Sequence, residues 1–396
     1  MFKKMFRNYD YSIIIALVLL CSIGLVMVYS ASVITAVSRY DFAPDHFYQR
    51  QKLSLIIGAL VFFVTMIIPY QLYARFIKGI LALVVVGLFL VSIFGHVSNN
   101  AASWLRFGGL SIQPSEFVKL AIVLYLAMVL EKRQPYLNDF KRAFTGPVLI
   151  VIFLTGLIAV QPDFGTAMIV VGIAAAVLLC SGIDKYTFRK FLALGVGSVL
   201  VILPIAWMSG YISATRIARV TTMLDPFKDA SGDGFQLVNA YIAMGSGGFF
   251  GAGLGQSVQK YGYLPESHTD AIIAIIAEEL GFVGVATVLF LLAFIIIKTL
   301  LLAKKCQDVY GSLICIGIAT TIGIQAFFNL GGITGVIPLT GVPLPFVSYG
   351  GTSILLLLAS MGIVVNISMF TNYRSKKAEG EESPLRAVDS KTERSF

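Results

Sequence analysis

Apolar residues in this chain neither alternate with polar ones at the period of a strand nor recur every third or fourth position as on a helix with one wet face; they run unbroken. Ten such runs stand out, near 11–35, 52–69, 79–96, 115–131, 146–161, 165–182, 191–209, 270–297, 309–331 and 348–370. A helix needs about 20 apolar residues to cross about 30 Å of hydrocarbon, and the runs meet or approach that length. The fifth is short and is expected to tilt or to join the bend after it. The pattern predicts an all-α polytopic membrane protein with about ten transmembrane helices. Most connections are short, but residues 210–269 form one long segment between the seventh and eighth runs, and long ordered loops are commonly functional. A transmembrane domain is therefore expected over 1–373. The charged tail from 374, "RSKKAEGEESPLRAVDSKTERSF", reads as disordered, with a basic start suited to anionic lipid.

Composition agrees: the 396 residues are 57% hydrophobic and 13% charged, where soluble domains carry about 25% charged residues. Lys and Arg are sorted. With the N-terminus inside, 21 of the 30 fall in inner segments and eight in outer ones, while Lys119 lies within a run. Both termini are thus expected in the cytoplasm and the long 210–269 segment outside. The net charge of +9 mostly reflects this sorting, and nucleic-acid binding is not implied. The first run follows a basic start but is too long for a signal peptide and lacks a small-residue cleavage pattern, so it reads as a retained span. Cys21, Cys180 and Cys315 lie in runs and Cys306 in an inner loop, which leaves no outer pair for a disulfide.

Charge is costly in such a chain, so each charge near a run is a candidate. Lys119 sits one turn beyond Glu116 with apolar sequence on its inward side, where an ionisable residue is a functional candidate by default. An i,i+3 ion pair with a snorkelling lysine accounts for the same residues, and a pair able to open toward an anionic ligand fits both readings. "SWLRFGGLSIQPSEF" brings Trp104, suited to an interface anchor, and Arg106, suited to phosphate, into the loop before that helix. "IQPSEF" (112–117) and "VQPDFG" (160–165) each place Gln-Pro and an acid at the outward start of a run, as in a capped helix.

The long segment holds Arg216 and Arg219 at i,i+3, consistent with one face of an interfacial helix or with a basic lining for a lipid-linked anion. It also holds Lys260, Glu266 and His268. "GSGGFFGAGLG" (245–255) lacks the strand and Gly-Lys-Ser/Thr of a nucleotide loop and reads as tight turns packed near the membrane surface. Asp270 opens the eighth run. Glu278, eight residues on, would lie about 12 Å deeper along a helix, so the two cannot form one dyad. Asp270 is better placed for chemistry, and Glu278 and Glu279 read as buried network partners, one paired with a basic residue on another helix. His268 is expected to orient the Asp270 region through hydrogen bonds. His46, His96 and His268 show no ligand spacing for a dedicated zinc site. Finally, "NLGGITGVIPLTGVPLPFVSYGG" (329–351) is too rich in Gly and Pro for regular helix, and such backbone must line a cavity or be buried in protein.

Taken together, "SWLRFGGLSIQPSEFVKL", "QPDFGTA", "GSGGFFGAGLGQSVQKYGYLPESHTD", "AEELG" and "PLTGVPLPFVSYGG" resemble the FtsW/RodA/SpoVE (SEDS) membrane proteins of bacterial cell-wall synthesis, from about Tyr9 to Phe370. "LVNAY" and "GLGQSVQKYGYLPE" are more similar to the FtsW branch than to the RodA branch. The resemblance implies ten spans and a peptidoglycan glycosyltransferase that polymerises lipid II at the outer face of the cytoplasmic membrane. The implied partners are a class B penicillin-binding protein and other division proteins. The family's essential loop aspartate falls on Asp270, its tryptophan and arginine on Trp104 and Arg106, and its membrane Glu/Lys pair on Glu116 and Lys119. Ala271-Ile272 departs from the family's usual Phe-Ile.

Lipid II carries its disaccharide on a polyprenyl diphosphate, which leaves without a proton, so one carboxylate suffices where a glycosidase uses two. Asp270 is expected to act as general base on the acceptor 4-hydroxyl, inverting an α-linked diphosphate to a β-1,4 bond. Lys119, Arg106, Arg216, Arg219 and Lys260 are the candidate cations for the diphosphate, with a divalent ion (Mg or Mn) as a further candidate. The rival reading is a lipid-linked oligosaccharide flippase, supported by the number of spans, the membrane-embedded Lys119 and Glu278, and the broken sequence at 331–351.

Overall fold

The computed structural model describes residues 7–392, apart from 95, 99–100, 108–109, 192, 194 and 196–213, and some side chains within the described segments are not described. The seventh predicted span, 191–209, lies almost wholly outside the described residues. The other nine correspond to helices: α1 Tyr11–Tyr40, α2 His46–Ile67, α3 Tyr73–Phe94, α4 Pro114–Lys132, α5 Phe140–Val160, α6 Phe164–Leu179, then α9 Ile272–Lys305, α10 Val309–Ile333 and α11 Gly351–Thr392. Between them, in the outer segment, stand two shorter helices, α7 Ala214–Leu224 and α8 Phe235–Ser246.

Among the described residues, seven helices are long and apolar enough to cross a membrane by length and composition alone, and α6 is apolar but shorter, at 16 residues. α4 is the exception that organises the bundle. It carries Glu116, Lys119, Glu131 and Lys132, yet 14 of its 19 residues are buried, because α3, α5, α6, α10 and α11 surround it. Glu116 and Lys119, intolerable against lipid, are tolerated there because they are buried in protein. The outer helices do the reverse: α3 turns Leu83, Ile93 and Phe94 outward, where lipid takes the place of a core.

Two local structures depart from the sequence expectation. The loop before α4 is an antiparallel ribbon, β1 His96–Ser98, β2 Ala101–Phe107 and β3 Leu110–Ile112, with Trp104 opposite His96 and Arg106 opposite Ser111. The tail expected to be disordered continues α11 as helix to Thr392. Lys, Glu, Ala and Arg, common after 374, are good helix formers. On the same helix Lys376 and Asn372 hydrogen-bond Asn8, joining the start of the chain to its end.

The eighth span is broken. α9 has non-helical backbone at Gly281 (φ 64°, ψ −161°), which strands carbonyls above the break and N–H groups below it. The glycine-rich segment fills both gaps. Ala252 and Gly253 donate to the carbonyls of Glu278 and Glu279 at 2.9 and 3.0 Å, and the Phe282 and Val283 amides donate to the carbonyls of Gly248 and Phe249 at 3.0 and 3.2 Å. Each unsatisfied backbone group would cost several kcal/mol in a bilayer. A Cβ on Gly281 would strike the Gly251 amide, and one on Gly251 would strike the Glu279 carbonyl. These glycines therefore do more than turn near the surface. The break lies nine residues, about 14 Å, below the start of α9.

Candidate active site

A cavity of about 1080 Å³ is lined by α4, α6, α7, α8, the end of α1, the loop before α9 and the strap that follows α10. Asp270 lies on its wall, two residues before α9, and not in the helix as the sequence suggested. Backbone bonds hold it there: the Asn329 side-chain amide of α10 donates to the Asp270 carbonyl at 2.7 Å, and the Ala271 amide donates to the Glu266 carbonyl at 3.1 Å. Ala271, the departure from the family's phenylalanine, is fully buried.

The carboxylate itself is lightly held. Gln236 Nε2 and Thr269 Oγ1 approach Oδ1 at 3.5 and 3.4 Å, and no described side chain hydrogen-bonds Oδ2. The strap backbone passes close to that oxygen at Gly341, which has φ +70°, and a Cβ there would stand 4.0 Å from Oδ2. Burial and, secondly, the Glu266 charge push the Asp270 carboxyl up to about 7, partly offset by its own backbone amide and then by the weak bonds from Gln236 and Thr269. Glu266 also lines the cavity, accepting from Thr269 Oγ1 at 2.8 Å and facing Arg39 at 3.8 Å.

Across the cavity, Lys119 Nζ donates to Glu116 Oε1 at 2.6 Å, both side chains being buried. The two Gln-Pro motifs meet beside them: Gln113 and Ser115 donate to Asp163 Oδ2 at 3.1 and 3.3 Å, and Asp163 Oδ1 caps α6 at Thr166. The echo in sequence is thus a junction in space. Trp104 lines the cavity from β2, and Arg219, exposed on α7, lines it while donating to the Leu339 carbonyl at 3.4 Å. Arg106 lies on β2 and Arg216 on α7, and their side chains are outside the described set.

Four predicted residues, Lys260, Glu278, Glu279 and His268, sit elsewhere. Lys260 does not line the cavity; it is buried, 2.8 Å from Glu279 and 3.1 Å from the Ser30 hydroxyl of α1. Glu279's basic partner therefore comes from the outer segment and not from another helix. The reason is the break at Gly281, which brings residues 257–260 alongside α9. There Glu278 accepts from Ser257 Oγ at 2.5 Å and from the Val258 amide at 2.8 Å. His268 is buried against Phe47 and Tyr349, with ring centroids 4.4 and 5.6 Å away, and burial lowers its pKa to about 4, leaving it neutral. It supports the loop by packing and by accepting the Tyr349 amide at its carbonyl (2.9 Å), with no described side-chain hydrogen bond at Nδ1.

Sequence reasoning missed Arg39, Gln236 and the role of Asn329, whereas the Gly-Pro bias of 329–351 signalled the 337–343 strap as cavity lining. Among the described residues no cluster of three or more His, Cys, Asp or Glu is placed to hold a metal.

The fold and site define a class: a polytopic membrane protein whose helices enclose a charged, half-open cavity at one end. A family profile described as cell cycle protein, FtsW/RodA/SpoVE, matches residues 11–373. The chain is 51% identical, over 96% of both chains, to the probable peptidoglycan glycosyltransferase FtsW of Bacillus subtilis (strain 168). It is 39% identical to stage V sporulation protein E of the same organism, over 92% of this chain and 98% of that one. Among solved structures it resembles a chain of a peptidoglycan synthase complex studied for the coordination of polymerization and crosslinking (27% identity, TM-score 0.73, 92% and 98% covered). It also resembles the rod shape determining protein RodA of Thermus thermophilus (26% identity, TM-score 0.66, 91% and 96% covered). This chain belongs to the FtsW/RodA/SpoVE family.

Proposed function

We propose that the protein is a peptidoglycan glycosyltransferase of cell division that polymerises lipid II at the outer face of the cytoplasmic membrane. The observation that carries this reading is Asp270, which lines the cavity with only weak side-chain hydrogen bonds from described residues and whose carboxyl is pushed up to about 7. A general base works best with a pKa near the working pH, in both protonation states within reach.

In the proposed reaction Asp270 takes the proton of the acceptor 4-hydroxyl as that oxygen attacks the donor anomeric carbon. The bond from that carbon to the polyprenyl diphosphate breaks, and the diphosphate leaves with the electron pair. Lys119 is the buried cation of the cavity; released from Glu116, it meets the charge that grows on the diphosphate, with Arg219 and Arg39 at the rim. A magnesium or manganese ion bound through substrate phosphates would need only one or two carboxylates; Glu266 on the cavity wall would hold it, and it would supply further charge stabilisation. A class B penicillin-binding protein is the proposed transpeptidase partner at the septum.

The test is purified protein with lipid II. Wild type is expected to yield glycan polymer and Asp270→Asn none, with folding intact by thermal melt. Translocation of lipid II without polymer would indicate a flippase and overturn the proposal, as would full polymerase activity in Asp270→Asn.

A further inference from the structure

Inward of the Glu116–Lys119 pair lies a second, much smaller cavity of about 10 Å³, near the lower limit for holding one water molecule. Glu116 and Lys119 line both cavities, so the pair is a partition between them. The other wall of the small one is formed by α10 and α11, which contribute Ile318, Thr321, Gln325, Leu357 and Ser360. Gln325 is fully buried, and neither its Nε2 nor its Oε1 has a hydrogen-bond partner among the described residues. A buried amide left so costs more than immobilising a single water that satisfies it.

The groups around the cavity suit such a water. Thr321 and Ser360 spend their hydroxyl protons on their own helices, at the Gly317 and Leu356 carbonyls (2.8 and 2.7 Å), which leaves both oxygens as acceptors. Lys119 has one N–H on Glu116 and two more to give, and Gln325 adds two donors and one acceptor. Two donors and two acceptors of a water find partners among them.

We propose that this cavity holds one ordered water bridging Gln325 to the Glu116–Lys119 pair, which makes Gln325 a positioning residue for the cavity's buried cation. The bridge gives Lys119 a second anchor that stays in place when it leaves Glu116. α10 thereby sets both sides of the large cavity from one face: Asn329, four residues beyond Gln325, holds the Asp270 carbonyl. The water site stands on geometry alone, whereas its effect on turnover rests on the proposed glycosyltransferase reaction.

The experiment compares wild type, Gln325→Met and Gln325→Asn in lipid II polymerisation, alongside an experimental structure fine enough to show waters. Gln325→Met is expected to keep its thermal midpoint and lose about tenfold in kcat with KM within twofold. Gln325→Asn, which keeps an amide and makes room for a second water, is expected to regain most of that loss. Wild-type kcat in Gln325→Met overturns the positioning role, and so does equal loss in both variants. Density for a water within hydrogen-bonding distance of Gln325 and Lys119 supports the site, and its absence overturns it even where the variants fold poorly. A wild-type protein that makes no polymer would refute the proposed reaction and leave the water site to be judged by density.

Discussion

At the scale of single residues, two carboxylates, Asp270 just before α9 and Glu279 within it, end with opposite jobs. Asp270 is raised by burial and by Glu266, so it loses its proton only near neutral pH. A base acts when deprotonated; kcat/KM is expected to rise with pH through about 7, and Glu266→Gln, by removing a negative neighbour, to move that limb to lower pH. A profile flat from about pH 5 to about pH 8 would contradict the assignment. The same shift bears on stability with the opposite sign. Because the folded state holds the proton more tightly than the unfolded chain, stability falls as pH rises from about 4 to about 7. Asp270→Asn should therefore melt above wild type at about pH 8 and level with it at about pH 4. Glu279, by contrast, is a fully buried charge satisfied by Lys260 and Ser30. Removing one partner of a buried pair costs about 3–5 kcal/mol. Lys260→Met is expected to lower the thermal midpoint strongly, and adding Glu279→Gln to restore most of it. If Lys260 instead served substrate, the double variant would recover nothing in activity and Lys260→Met would melt normally.

At the scale of elements, α9 depends on a segment that is not helix. Gly281 occupies backbone space open essentially to glycine alone, and the Gly251 amide sits where a side chain would begin. Gly281→Ala is expected to cost at least about 3 kcal/mol, from strain and lost loop bonds together. Gly156→Ala, in regular α5 with open space around it, should be neutral or slightly stabilising. Thermal melts of the two proteins in detergent check the contrast, and equal midpoints would mean that the docked segment contributes little. The comparison separates glycine needed for approach from glycine merely present.

At the scale of the whole molecule, what was legible in the sequence follows from the solvent. A bilayer demands uninterrupted apolar runs, and nine of those predicted correspond to described helices, with α4 found despite four charges. The cost of charge in such a chain likewise singled out Asp270, Glu116 and Lys119, which the fold gathers around one cavity. Roles set by packing between distant segments were hidden. Lys260 in a loop reads the same whether it faces solvent or Glu279, and nothing in α10 announces that Gln325 and Asn329 serve opposite walls of one site. Arg39, at the end of α1, meets Glu266 only because the long stretch of chain between them folds back. The docked glycine segment has a bearing on how the chain is made. Residues 247–253 leave the ribosome before Gly281 does, so the partner that completes the eighth span is already across the membrane when that span arrives. Assembly order is thus written into chain order: moving the segment after α9, as in a circular permutant, would oblige a broken helix to wait in lipid for its missing bonds.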